Sequence, residues 1–127
     1  MTRLALIAAM ALAAAPAWAG TQAELSQRAA ADAARADAAM TGRYRSAMTE
    51  MRRKDGLHAP DAGSGPSYQN ALLASQRAWL RFRDAECVVE GYRFRGGSAR
   101  PMAESECLTA VTRQRIVQLE MLATPLQ

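Results

Sequence analysis

Two cysteines, one histidine, a close pair of carboxylates and a row of polar side chains at helical spacing are the residues of this chain whose types could do chemistry. Cys87 and Cys107 stand 20 positions apart, which does not resemble a zinc site, and the single histidine, His58, falls in a Gly- and Pro-rich loop. Asp84 and Glu86 are two apart on a helical stretch and face different ways, which is wrong for an acid and a base sharing one cleft. No serine has a base placed with it. The expectation is a protein without catalytic residues, metal or cofactor. Binding and structural roles remain. Gln76, Trp79, Arg83 and Cys87 recur at three- and four-residue steps, with Thr112 and Arg115 further along. An arginine turned inward must find partners or lose its solvation. With five donors, Arg83 can tie neighbouring helices together, using Asp37, Glu90 or Glu120 as counter-charge. The competing role for Arg83 is as part of a binding surface, while Trp79 reads as a core anchor.

The compartment decides what the cysteines do. Arg3 gives a basic start, Leu4 to Ala15 an apolar run, and Ala17-Trp18-Ala19 a small-x-small cleavage site before Gly20. The run is shorter than the roughly 20 residues that span a bilayer. Residues 1–19 therefore read as a signal peptide and 20–127 as one domain, periplasmic or secreted, with no transmembrane segment after cleavage. No cysteine follows the apolar run to carry a lipid. In an oxidising compartment Cys87 and Cys107 supply a candidate disulfide, the alternative being two unrelated buried thiols. The chain-entropy account gives such a crosslink roughly 3 kcal/mol, a large share of a small domain's stability.

Positioning these residues requires helices. From Thr21 to about Arg53 the chain is rich in alanine and lacks proline, with Leu25, Ala29, Ala33, Ala36, Met40, Tyr44, Ala47 and Met51 at three- and four-residue steps. This predicts one long helix whose packing rests on Leu25, Met40, Tyr44, Met48 and Met51, with an N-terminal half prone to fraying. Asp55 to Ser67 reads as an exposed loop, and Ser67 as the cap of a second helix over Tyr68 to Tyr92. Gly96-Gly97 allows positive φ. Pro101 suits the first turn of a third helix over about Met102 to Leu122, capped by Ser98 or Arg100. Leu108, Val111, Arg115, Leu119 and Leu122 form its stripe, and Pro125 stops it. The predicted fold class is all-α, a small bundle of three main helices, with the disulfide clipping the last helical hairpin.

The formal net charge of +4 falls to +3 when Arg3 leaves with the leader, and Lys54 is the sole lysine. A surface this mildly basic suits acidic glycans, anionic lipid or the cell envelope, and is equally ordinary in proteins with no such partner. Arg93-Phe94-Arg95-Gly96-Gly97 interleaves arginine and aromatic residues as single-strand binders do. An exported protein rarely meets nucleic acid, so no nucleic-acid partner is expected.

Gln76, Trp79, Arg83, Asp84 and Cys87, then Gly96-Gly97-Ser98, Pro101-Met102, Cys107-Leu108, Thr112, Arg115 and Leu119, resemble the pattern of the lysozyme inhibitor LprI-like family. Upstream, Thr21 to Leu25 resembles the family's opening, and Asp37, Met40 and Tyr44 match first-helix positions. This chain departs in two places. The family's extra cysteine pair near the opening is missing, with Arg28 where the later cysteine is expected, and Thr41 replaces the usual asparagine. The resemblance implies an exported, non-enzymatic helical protein, with lysozyme inhibition attributed to the family through a lipid-anchored member.

Two functions follow. The first is a binding protein that blocks a lysozyme-like glycan hydrolase by presenting a loop to its carboxylate-lined cleft. Its candidate loops are Gly56 to Gly65 and the turn carrying Arg93, Phe94, Arg95, Ser98 and Arg100. Animal lysozymes are cationic, so a basic turn opposes that encounter and a less basic bacterial lytic enzyme fits it better. The second is a cell-envelope interaction module that binds an anionic polymer or a partner protein through its basic hairpin.

Overall fold

A computed structural model describes residues 20–57 and 65–124. The expected leader at 1–19, His58 with the rest of 58–64, and Pro125 lie outside the described residues. Within them the fold is all-α, with helices α1 (Gln22–Leu57), α2 (Tyr68–Gly91) and α3 (Arg100–Ala123), a 3₁₀ turn at Tyr92–Phe94, and no strand.

A reciprocal cap starts α1. The Thr21 N–H donates to Glu24 Oε2 at 2.8 Å, and Thr21 Oγ1 accepts from the Glu24 N–H at 3.3 Å. The helix then runs 36 residues, roughly 54 Å at the standard rise. It passes the predicted end near Arg53 by one turn, because Asp55 is used as a helical residue. Its carboxylate accepts from the Tyr68 N–H at 2.8 Å and the Gln69 N–H at 3.1 Å. The end of α1 thus caps the start of α2, beside Ser67, whose hydroxyl accepts from the Asn70 N–H at 3.2 Å. Asp55, Gly56 and Leu57, expected in the loop, belong to α1.

Alanine decides how α1 packs. Ala29, Ala36 and Ala47 are buried, and their small side chains let α3 approach along most of the helix. Leu25, expected in the core, is 39% exposed, because the apolar core lies further along. Met40, Ala47, Met51, Leu72 and Leu119 form that core, with Tyr44, Met48, Trp79, Leu80 and Ile116 against it. It joins the C-terminal half of α1 to the start of α2 and the end of α3.

The opposite end is held differently. Cys87 and Cys107 form a disulfide between α2 and α3, with Cα atoms 5.4 Å apart. Gly91 ends α2 one residue earlier than predicted, and it is buried because Glu104 lies on it. A Cβ at Gly91 would come within 2.4 Å of Glu104 Cγ. Gly96 supplies the turn's positive φ of 82°. Ala99, rather than Ser98 or Arg100, occupies the cap position of α3, which begins at Arg100 with Pro101 in its first turn. The buried face of α3 is Thr109, Thr112, Arg115 and Leu119. Leu122, assigned to the buried stripe, is 40% exposed. Threonines suit the face that meets the alanines of α1, and Thr109 satisfies its hydroxyl on the Ser105 carbonyl at 3.0 Å.

Candidate functional site

The polar residues at helical spacing on α2 and α3 meet at mid-bundle, where they form two connected guanidinium centres. Arg83 Nη1 donates to Asp37 of α1 at 2.7 Å and reaches Thr112 Oγ1 of α3 at 3.5 Å. Its Nε donates to Asp84 at 2.9 Å. Of the three counter-charges considered for Arg83, Asp37 fills the role, with Asp84 beside it. Glu120 pairs instead with Arg43 and Glu90 with Arg93. Burial pulls the Arg83 pKa down, and the hydrogen bonds and charges of Asp37 and Asp84 more than reverse it, so the net direction is up.

Arg115 is a different case. It is buried and donates to Gln76 Oε1 at 3.0 Å, Ser75 Oγ at 3.0 Å and Gln118 Oε1 at 3.1 Å, all neutral acceptors. Burial lowers its pKa, though a guanidinium stays charged at neutral pH. Gln76 in turn donates to Met40 Sδ at 3.0 Å, which carries the chain of contacts from α3 through α2 to α1. Trp79 lies between the two centres, with the Arg83 and Arg115 guanidinium carbons 5.1 and 5.8 Å from its ring centroid. Gln76, Trp79, Arg83, Asp84, Thr112 and Arg115 therefore come together, and the hydrogen bonds that Gln76, Arg83 and Arg115 donate go to Gln76, Asp84 and Thr112 within the group and to Asp37, Met40, Ser75 and Gln118. Sequence reasoning missed Ser75, Gln118 and the Met40 sulfur as partners. Their signal was positional only, one helical turn from Trp79, Arg115 and Tyr44 respectively.

The second assembly is the tip of the α2–α3 hairpin. Its arginines are largely engaged within the turn. Arg93 pairs with Glu90 at 3.2 Å and Arg100 with Glu104 at 2.7 Å, while Arg95 and Arg100 flank the Tyr92 ring at 5.2 and 5.1 Å. The Glu104 pairing raises the Arg100 pKa. Phe94, Arg95 and Ser98 are exposed. The turn is thus less cationic than its composition suggests, because two of its three arginines have carboxylate partners.

Below the tip, α2 and α3 enclose a groove of about 500 Å³ beside the disulfide, to which α1 contributes no lining residue. Phe94, Cys107 and Val111 are among its lining residues, with Glu86, Glu90 and Glu106 around them. Sequence reasoning weighed Glu86 only as a catalytic carboxylate and Glu90 only as a counter-charge for Arg83, and passed over Glu106. Their signal was Glu86 lying between Phe82 and Val89, which are off the buried face of α2. No group of three or more His, Cys, Asp or Glu residues suited to a metal occurs among the described residues. None of the described helices is long and apolar enough to cross a membrane.

Two parallel helices, α1 and α3, with α2 antiparallel to both, a disulfide-clipped hairpin and an arginine–glutamine–tryptophan layer define a small helical-bundle domain. The chain belongs to the family described as Lysozyme inhibitor LprI, which it matches over residues 13–119. It is also 39% identical over 88 residues to an uncharacterized protein of Rhizobium meliloti (strain 1021), covering 68% of this chain and 63% of that protein. The match thus spans less than two thirds of the relative's length. No solved structure matches the chain.

Proposed function

We propose that this protein is an exported, non-enzymatic binding protein that inhibits a lysozyme-type glycan hydrolase. Membership of the lysozyme inhibitor family over residues 13–119 carries the reading. The fold supports it physically: an inhibitor needs a projection that keeps its shape under contact, and the hairpin tip is fixed at its base by Cys87–Cys107. In this reading Phe94, Arg95 and Ser98 lead into the hydrolase cleft, where Arg95 meets its carboxylates. Arg93 and Arg100 hold the turn's shape through Glu90 and Glu104. Export follows from the leader at 1–19, and the mass of the secreted product would place its cleavage after Ala19.

The test is a lysis assay with oxidised protein, residues 20–127, against animal and bacterial lysozymes. Dose-dependent inhibition is expected, and none at micromolar protein refutes the reading. A second reading, an envelope module that binds anionic polymer, draws on Arg77 and Arg81. Both are exposed on α2 without an ion pair among the described residues. Salt-sensitive retention on cell-wall material, lost in Arg77→Ala/Arg81→Ala, is its signature.

A further inference from the structure

The outer face of the α2–α3 hairpin bears apolar side chains that the bundle does not cover. Phe82 is 56% exposed, Val89 60% and Phe94 46%. Phe82, Glu86 and Val89 stand at i, i+4 and i+7, and so share one side of α2. Phe94 lines the groove of about 500 Å³, as does Glu86 from the side of α2 that it shares with Phe82 and Val89, with Cys107 and Val111 of α3 on the other wall. Exposed aromatic residues beside a concave apolar surface are the usual material of an interface core.

The charge around this surface selects its occupant. Glu86, Glu90 and Glu106 line the groove, and one cation, Arg93, lines it with them. Arg93 is already paired with Glu90. Glu86 and Glu106 make no ion pair among the described residues. Glu106 also borders a neighbouring groove that contains Arg28 and Arg113, and it is bonded to neither. A chain that is basic in sum thus carries a locally acidic, apolar face on its disulfide-clipped hairpin.

We propose that this groove is the docking surface for the target hydrolase and that it takes a cationic patch, in which lysine or arginine side chains surround an apolar residue. The inference rests on the inhibitor reading and specifies its partner's chemistry: a basic lysozyme rather than a neutral or acidic one. The arginine count of the turn argued against a cationic partner, and the geometry removes that objection. The turn's arginines are mostly neutralised by Glu90 and Glu104, while Glu86 and Glu106 stay available. An acidic groove steers a cationic protein to it and raises the encounter rate in low salt. The apolar residues supply affinity once the charges have aligned the two surfaces.

The experiment measures binding and inhibition separately, using a cationic animal lysozyme as the probe. Calorimetric titration and lysis are run on wild type, on Glu86→Gln/Glu106→Gln and on Arg95→Ala, each with its melting temperature recorded. Both glutamates are exposed, so the double variant should melt as wild type does. It should bind about tenfold more weakly or worse, with a flatter salt dependence than wild type. Wild-type binding and inhibition that survive unchanged in the double variant would overturn the groove and leave the inhibitor reading standing. Binding that depends on the glutamates without inhibition of lysis would uphold the groove and overturn the inhibitor reading. Absence of any binding in low salt would overturn the groove and leave the inhibitor reading to the lysis assay with bacterial lysozymes. Phe82→Ser/Val89→Ser, which leaves the charges in place, should weaken binding at every salt concentration. No effect of that pair would reduce the groove to an electrostatic contact and refute the apolar half of the proposal.

Discussion

Reducing the Cys87–Cys107 bond should split the molecule's stability unevenly. The crosslink joins residues 20 apart in sequence, and the loop-entropy relation gives about 3.3 kcal/mol at 25 °C for a loop of that size. For a domain near 100 residues this is a fall in melting temperature of roughly 13 to 26 °C. Comparing oxidised with reduced wild type avoids any substitution, which matters because Cys87 is only 2% exposed and a replacement would add a packing defect. The location of the loss follows from the fold. The apolar core joins Met40, Ala47, Met51, Leu72 and Leu119, whereas the disulfide end has alanines, threonines and Gly91 where a core would be. Amide hydrogen exchange on reduction should therefore accelerate most over residues 84–108 and least around Met51, Leu72 and Leu119. A melting shift below about 3 °C would refute the staple's energetic role. A large shift with uniform loss of protection would refute the division into a packed end and a clipped end.

Gly91→Ala should destabilise by about 1–3 kcal/mol in urea unfolding, because its Cβ would displace Glu104 at Cγ and disturb the Arg100 pair; wild-type stability would show that the Glu104 side chain swings aside without cost. Arg83→Ala should cost about 1.5–3 kcal/mol through lost hydrogen bonds to charged groups. Asp37 is half exposed and can rehydrate, which keeps the loss from being larger; a stable Arg83→Ala protein that no longer binds would make Arg83 a contact residue. Asp55 gives a pH prediction. Burial raises its pKa, and the N–H groups of Gln69 and Tyr68 together with the Gln69 and Ser67 side chains outweigh it, so the net shift is downward. A carboxylate depressed on folding stabilises above its ordinary value, 3.8 here, and that contribution disappears as pH falls through the folded value. Acid unfolding curves of Asp55→Asn should therefore be flatter than wild type below about pH 5, the residual slope including Glu50, which Arg53 holds down in the same sense. Parallel curves would exclude the cap.

The three helices were legible because their signals are local. Alanine density, Ser67 ahead of Tyr68, Gly96 and Pro101 each act within a turn of where they stand. The Thr21–Glu24 cap was equally local and belonged to the helix start, yet it was read only as part of a family pattern. The motif residues were legible as inward-facing polar groups, since hydrophilic side chains on an apolar stripe require partners. The partners themselves were not. Asp37 rather than Glu120 meets Arg83, and Met40 sulfur meets Gln76, because helix register across the bundle fixes those pairs.

By itself the sequence determined the elements, the disulfide pair and the family, since propensity, capping and cysteine count depend on neighbours along the chain. The burial of Leu25 and Leu122 could not be determined that way: both obey the helical period, yet they fall beyond the short zone where three helices cover one another. Charge was misread for the same reason. Composition makes the hairpin turn basic, and although the Arg93–Glu90 and Arg100–Glu104 pairs are local, at i,i+3 and i,i+4, only the packing of α2 on α3 sets Glu86 and Glu106 around one groove. Net charge is a sum over residues, whereas the field a partner meets depends on which of them fold onto each other.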